Sequence, residues 1–561
     1  MVYISSGKAL MLSALAAISF AAEPRRLRLN ETTKLPPRGN PFTEEFNQYV
    51  KDLMDEWKVP GMSVAVIDDD QVYTEGYGFA VLPDTPVKPE TLFLGGSTTK
   101  AHLAATIAQM IASGDYDDVF PQGWDTPMSS NIRDDFVLED EWATTHVTME
   151  DAVSHRTGMA RHTISWVGTG EPGDTGKEWK TNKATVRNLR NLPMTAEPRI
   201  VFQYCDLMFI ALAHIVETVT GSWIGDVLKK TLWQPLGMHS TFLSYGDARK
   251  SGQQIATGYF WDEYAQQYVG QETDPVQSSS AAGALISNVV DYSKWIMCLM
   301  NSTAPLSAEA HTQIRTPRIL IGPSEATGWQ LTTYGLAWER ATIYGEVVFK
   351  HDGGTQNFGA NVVWMPDTKF AVIMFANAVD GGNLIEEVIT QRLIEEKLGL
   401  PVHGRRQYLD ETKQNWAQAR PDFDNATDIL YPNRTTDASS QVVDINRFAG
   451  NYSHPGYGTY AFSVENSYLV PGETRDKQPQ QQLVALRNDL ITPTRFVLRH
   501  VTGDFWVAYQ IPVRGAALGR DYFLARFYME ADGEPSALEI TFAEETARIS
   551  EVVIQFDRVD N

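Results

Sequence analysis

Ser97-Thr98-Thr99-Lys100 is the segment of this chain best suited to chemistry. A serine hydroxyl is a weak nucleophile until a neighbouring group draws on its proton. A lysine three residues on returns to the same helix face one turn later. Enclosed there, the Lys100 ammonium would lower the proton affinity of Ser97 and stabilise negative charge on a nearby base. A helix opening at Ser97 adds backbone N–H groups and the positive end of its dipole where an oxyanion would form. Gly95-Gly96, just upstream, admit close approach of backbone or substrate. The predicted chemistry is attack on an ester or amide carbonyl. Spacing alone carries little weight, because Ser-x-x-Lys recurs at Ser5…Lys8 and a serine at a helix start is also an ordinary N-cap.

Other chemical patterns are weaker. Gly168-Thr-Gly-Glu-Pro-Gly173 spells a dinucleotide fingerprint, but Pro172 and Asp174 put it in polar loop sequence and not between a strand and a helix. Gly61-Met-Ser63-Val-Ala65 falls one residue short of a nucleophile elbow and opens a strand. Cys205 and Cys298 are the only cysteines, and no Cys-x-x-Cys or His-Glu-x-x-His spacing offers a zinc site, so neither metal nor cofactor is expected.

The elements that must position Ser97 follow from periodicity. Leu103, Ile107 and Ile111 form one stripe of a helix over 97–113, Ala101, Ala104, Ala105 and Ala108 let neighbours approach, and Gly114 ends it. Phe46, Tyr49, Val50, Leu53, Met54 and Trp57 share a face of an earlier helix stopped by Pro60-Gly61. Strands are expected at 62–67 and 72–77, and later at 344–349, 360–364 and 370–375. Helices are expected at 149–154, 206–218, 223–233 and 384–397. That order predicts an α+β unit over 40–400, an antiparallel sheet flanked by helices with an inserted all-helical subdomain. Polar sequence at 401–442 reads as a linker, and seven alternating runs between 460 and 556 predict a separate all-β barrel or sandwich over 443–561.

Composition narrows the class. With 43% hydrophobic residues and 14 Trp, 22 Tyr and 24 Phe, the chain can bury a large core, which excludes a disordered protein. A net charge of −23 repels phosphate backbones and anionic lipid, so neither nucleic acid nor a membrane surface is an expected partner.

Separated stretches then carry a resemblance in a fixed order. They are Phe93-Leu-Gly-Gly-Ser-Thr-Thr-Lys100, the Ser-His-Arg-Thr-Gly turn after Thr148, Phe202-Gln-Tyr-Cys-Asp206, Pro235-Leu-Gly-Met-His-Ser-Thr241, Gly283-Ala-Leu-Ile-Ser287, Tyr334-Gly-Leu-Ala-Trp338 and His351-Asp-Gly-Gly354. Residues 40–400 thereby resemble the serine β-lactamase and penicillin-binding protein superfamily, in its class C β-lactamase, esterase and D-aminopeptidase branch. Tyr452-Ser-His-Pro-Gly-Tyr-Gly458 resembles the opening of the lipocalin-like β domain that often follows this fold. The resemblance implies Ser97 as nucleophile, Lys100 as its activating lysine and Tyr204 as general base, its phenolate favoured by Lys100. It places His351-Asp352-Gly353 at the third motif and the N–H groups of Ser97 and Gly354 at the oxyanion hole.

Two positions depart from the pattern. Asp206 stands where the family carries an asparagine that donates to the substrate amide, and an ionised carboxylate cannot donate, but it can pair with Lys100. His351 replaces a lysine that helps hold a β-lactam carboxylate, and alternation turns Lys350 to the other face of the strand. The expected enzyme is therefore a hydrolase of small-molecule esters or peptide amides more than of lactams. Acyl transfer to a small metabolite and a catalytically silent binding protein are the alternatives, and Asp206 favours the latter. His155 reads as structural, fixing the turn before Gly158. Lys8 followed by an apolar run reads as a signal peptide over 1–21. Sequons at Asn30, Asn301, Asn425, Asn433 and Asn451 are expected glycosylation sites of a secreted protein.

Overall fold

Strands whose positions are nearly all apolar or small must be covered on both faces, and three such runs organise the unit over 40–400. The computed structural model describes residues 39–165, 182–263, 265–271, 280–324, 329–355, 357–400, 409–410, 413–414, 422–434, 444–470, 478–490, 492–513, 521–543 and 551–560. The signal peptide expected over 1–21, Asn30 and the 168–173 glycine pattern lie outside these residues. The strands are β1 (Gly61–Asp68), β2 (Gln71–Val81), β3 (Thr85–Pro86), β4 (Phe93–Gly96), β5 (Gly258–Asp262), β6 (Gln267–Gln271), β7 (Leu285–Ser287), β8 (Ile319–Ser324), β9 (Trp329–Tyr334), β10 (Glu339–Ile343), β11 (Glu346–Thr355), β12 (Phe358–Met365) and β13 (Phe370–Ala376). Among the described residues, nine of them form one sheet in the order β3-β2-β1-β13-β12-β11-β10-β9-β8, with every ladder antiparallel.

The period of two sorts its side chains. Ala65, Ile67, Val362, Trp364, Ile373 and Phe375 face the helical subdomain. Met62, Val64, Val66, Val363, Met365, Val372 and Met374 face the opposite way, against the Glu44–Glu56 and Asp380–Lys397 helices. Register across β11 and β12 pairs His351 with Val362 and Lys350 with Val363. His351 therefore lies on the helical-subdomain face and Lys350 on the other.

The Ala-rich helix runs over Thr99–Ser113, two residues later than expected, and Gly114 closes it in the left-handed conformation. Its start is displaced because Thr98 and Thr99 turn their hydroxyls back to the carbonyls of Gly95 (2.9 Å) and Gly96 (2.6 Å). Ser97 is thereby held in a turn between β4 and the helix and is not the N-cap. Beneath it, Leu103 and Ile107 are fully buried, each worth roughly 1.5–3 kcal/mol relative to exposure. The third-motif strand begins at Glu346 and continues to Thr355, so that His351 to Gly354 are in-strand residues.

The C-terminal region is a closed barrel, not a sandwich. Its strands are β14 (Gly450–His454), β15 (Gly458–Ser467), β16 (Gln480–Arg487), β17 (Thr494–Thr502), β18 (Phe505–Pro512), β19 (Asp521–Met529), β20 (Pro535–Ala543) and β21 (Glu551–Val559). β14 is the strand that alternation missed, since it pairs with β15 and β21 to close the ring. Tyr452, Tyr460, Phe496, Trp506, Phe527 and Phe556 fill the interior. The described part of the linker is more than a tether: Phe423 and Ala426 pack with Val484, Val497 and Val507 of the barrel. Asn301, Asn425 and Asn433 are exposed, whereas Asn451 is half-buried in β14.

Candidate active site

Two glycines bring the third-motif strand onto the nucleophile turn. Gly96 has φ +53°, and a Cβ there would lie 2.7 Å from the Gly354 nitrogen. A Cβ on Gly353 would lie 2.1 Å from the Gly95 carbonyl oxygen. Only bare backbone allows this approach, and it sets the Gly354 N–H beside the residue preceding Ser97.

Lys100, buried one helical turn beyond Ser97, spends its three protons on three oxygens. Its ammonium donates to Ser97 Oγ (2.9 Å) and to the Ala282 carbonyl (2.8 Å), and it pairs with Asp206 Oδ1. Burial draws the Lys100 pKa below that of an ordinary lysine; the Asp206 charge and hydrogen bond oppose the shift, and Arg161 adds to it. Asp206 opens the Asp206–Thr220 helix and is thus the acidic partner anticipated for Lys100.

Tyr204 reaches the same point from the extended segment before that helix, with its hydroxyl hydrogen-bonded to Ser97. The Lys100 Nζ lies 4.8 Å from its ring centroid. Burial, and then the Asp206 charge, push the Tyr204 pKa well above that of an ordinary phenol, with the Ser97 hydrogen bond opposing. This corrects the expectation of a phenolate favoured by Lys100. Asp206 offsets the ammonium's field, so Tyr204 rests as a neutral phenol.

His155 holds Tyr204 from behind. Its backbone carbonyl accepts from the Gln203 N–H (2.8 Å) and its Nδ1 accepts from the Cys205 N–H (2.9 Å). The amides on either side of Tyr204 thus end on one residue, whose ring lies 4.1 Å from the Tyr204 ring. Burial depresses the His155 pKa strongly, with Lys100 and His351 contributing, which keeps Nδ1 an acceptor. His155 itself has φ +56°, and Gly158 follows with φ +80°, where a Cβ would stand 2.0 Å from the Ala196 oxygen. The expected turn role is present, and the contact with Tyr204 is additional to it.

His351 is buried on β11 with both ring nitrogens engaged. Nδ1–H donates to the Asp352 carbonyl (2.6 Å), so Nε2 accepts from the Tyr334 hydroxyl (3.0 Å). Burial lowers its pKa to about 4, Asp352 opposing and Lys100 adding to the shift, so it offers no positive charge near neutrality. Lys350 pairs with Glu387 (2.6 Å) on the opposite face. Beside it, Glu386 is fully buried, has no hydrogen-bond partner among the described residues, and has its pKa pushed well up by burial and by Asp352.

Ser97, Lys100, Tyr204, Asp206, His351, Gly353 and Gly354 are thus brought together. Two participants were absent from the sequence reading. Tyr334 lay inside a quoted stretch, but its bond to His351 depends on strand pairing. Arg161, whose Cζ stands 5.2 Å from the Tyr204 ring centroid and whose Nε is 4.0 Å from Asp206 Oδ2, comes from a loop with no periodic signal. Cys205 and Cys298 are buried and not joined to each other.

Comparison with known proteins shows the family and the fold. Residues 46–394 match the model of the Beta-lactamase family. The chain is 35% identical to an unguisins hydrolase of Aspergillus campestris, over 91% of each chain. It is 33% identical to an unguisins hydrolase of Aspergillus violaceofuscus, over 89% of this chain and 88% of the other. The octameric penicillin-binding protein homologue from Pyrococcus abyssi shares the fold at 21% identity and a TM-score of 0.56, covering 91% of this chain and 99% of that one. The chain is a member of the Beta-lactamase family, a β-lactamase-related serine hydrolase whose catalytic fold is followed by an eight-stranded barrel.

Proposed function

We propose that this enzyme cleaves an amide or ester bond in a small peptide-like substrate through an acyl-enzyme on Ser97. The observation that carries the reading is the 2.9 Å contact between Lys100 Nζ and Ser97 Oγ inside a buried ion pair with Asp206. Burial eases the loss of one proton from the Lys100 ammonium, and the neutral amine so formed takes the Ser97 proton as Oγ attacks the carbonyl. The N–H groups of Ser97 and Gly354 receive the oxyanion. Tyr204, a neutral phenol bonded to Ser97, passes a proton to the leaving group and regains it from Lys100. Water then enters along the same relay and releases the acid.

A neutral His351 and an acceptor at Asp206 disfavour the lactam carboxylate and favour peptide-like substrates. Likeness to two unguisins hydrolases supports unguisin-type compounds as the first candidates. The apolar run after Lys8 supports a secreted enzyme, and the exposed sequons at Asn301, Asn425 and Asn433 suit glycosylation.

The test is labelling with a fluorophosphonate followed by peptide mapping, alongside hydrolysis of unguisin-type peptides. The expected adduct is on Ser97 alone and is absent from Ser97→Ala. An adduct elsewhere, or one that survives in Ser97→Ala, would falsify the mechanism.

A further inference from the structure

We infer that Asn383, in the first turn of the Asp380–Lys397 helix, is a positioning residue for the oxyanion hole: its side chain backs the glycine pair Gly354–Gly359 and so fixes the place of the Gly354 N–H. This rests on the acyl-enzyme reading above and deepens it.

The donor sits on the least supported part of its strand. β11 is paired with β10 only from Glu346 to Lys350. From His351 to Thr355 its one ladder neighbour among the described residues is β12. Gly353 and Gly354 fall within that segment, and Gly354 lies directly opposite Gly359 of β12. Glycine brings a strand no side chain to pack and the widest backbone freedom. An oxyanion donor works only from about 2.7–3.1 Å of the developing charge. Something besides the ladder must hold Gly354 there.

The two faces of this strand end are gripped from opposite sides. Alternation turns Gly353 towards the nucleophile turn, where a Cβ would strike the Gly95 carbonyl oxygen. Gly354 turns the other way. A Cβ built on it would meet Asn383 Nδ2 at 3.6 Å and Val379 Cγ2 at 3.5 Å, and one on Gly359 would strike Asn383 Oδ1. A single amide therefore covers both members of the pair.

Small residues let the helix down this far. Gly359 pairs in turn with Ala376 of β13, and a Cβ on Gly382 would lie 3.0 Å from the Ala376 Cβ. The first helical turn thus rests on the backbone of the row Gly354–Gly359–Ala376. Hydrogen bonding of its oxygen does not account for the amide: Asn383 Oδ1 is buried with no partner among the described residues, a placement that costs free energy. What the side chain contributes is its shape. Gly96 closes on Gly354 from the catalytic face and Asn383 from the other, which leaves the N–H one position. Without the Asn383 side chain, a void would face the glycine pair, and the strand end could relax into it, away from Ser97.

The experiment follows a p-nitrophenyl ester and its thiono analogue, with sulfur in place of the carbonyl oxygen, on the full chain. Sulfur is larger and accepts hydrogen bonds weakly, so the wild type should prefer the oxygen ester, and the ratio of the two kcat/KM values reports the oxyanion donors. Asn383→Ala should lower kcat/KM for the oxygen ester by about 10- to 100-fold, the range for a displaced oxyanion donor. The thiono ester should fall less, so that the ratio shrinks. Gly359→Ala drives a methyl into Asn383 and should shrink the ratio as well. In Gly359→Ala/Asn383→Ala the methyl takes the space the amide vacates, and the ratio should return towards the wild type. A merely structural role, or direct contact of Asn383 with substrate, would depress both esters alike. An unchanged ratio in Asn383→Ala would overturn the inference; should that variant not fold, an unchanged ratio in Gly359→Ala would do so. Failure of the acyl-enzyme reading has a different signature: the wild type itself would leave no acyl group on Ser97 or show no preference for oxygen.

Discussion

Replacing His155 should separate its two duties, holding a turn and holding Tyr204. Three substitutions divide them. Leu removes the Nδ1 acceptor and leaves the buried Cys205 N–H unmet, at about 1–3 kcal/mol. It also places a bulky apolar residue at φ +56°, a left-handed position that adds roughly 1 kcal/mol or more. Asn puts an oxygen near the place of Nδ1 and tolerates the left-handed backbone. It loses chiefly the ring contact with Tyr204, seen at 4.1 Å and worth about 0.5–1.5 kcal/mol. Urea unfolding should therefore rank Asn about 1 kcal/mol and Leu about 3 kcal/mol below the wild type, with Ala at least as low as Leu. Activity should diverge further. Both amides flanking Tyr204 end on His155, and a misplacement of about 1 Å in a catalytic group can cost ~100-fold. We expect kcat/KM for a p-nitrophenyl ester to fall about 100-fold in His155→Leu and less than about 10-fold in His155→Asn. A Leu variant that loses the stability but keeps wild-type kcat/KM would refute the link to Tyr204. Equal losses in Asn and Leu would refute the role of the acceptor.

Two further outcomes follow from buried charge. Asp206 raises the pKa of Lys100 by its charge and its hydrogen bond, against the lowering by burial. Asp206→Asn should thus let burial carry Lys100 further down, and the acid limb of the kcat/KM–pH profile should move to lower pH; an alkaline or absent shift would show that Lys100 is not the base. Glu386 is held protonated in the folded state by burial, so above the unfolded carboxyl's pKa of about 4.3 only the unfolded chain releases its proton. Wild-type stability therefore erodes as pH rises, by up to about 1.4 kcal/mol per unit, and Glu386→Gln removes that slope. Denaturant titrations at pH 4 and pH 8 should find the two proteins alike at the lower pH and the Gln variant more stable at the higher one.

The fold was readable where periodicity was strong. The runs in β1, β12 and β13 are wholly buried, and the apolar stripe of the Glu44–Glu56 helix was visible from Phe46 to Trp57. The barrel announced seven strands by alternation. The eighth, β14, is five residues long and begins at Gly450, too short and too polar to signal without its partners. The start of the catalytic helix was misplaced for a local reason: Thr98 and Thr99 satisfy the carbonyls of the preceding turn, an alternative that serine and threonine offer at any helix start.

Site residues were legible to the extent that a motif names them, but their protonation was not. Tyr204 was expected as a phenolate because sequence places a lysine nearby and cannot weigh Asp206 against it. In three dimensions Asp206 is Lys100's partner, so the field at Tyr204 is that of an ion pair and not of a lone ammonium. The same geometry explains why Arg161 escaped notice. Its contact with Asp206 spans 45 residues of chain. No local spacing encodes such a pair. What the sequence does record is the pair of departures themselves: Asp206 stands where the motif carries an amide donor, and His351 where it carries a lysine.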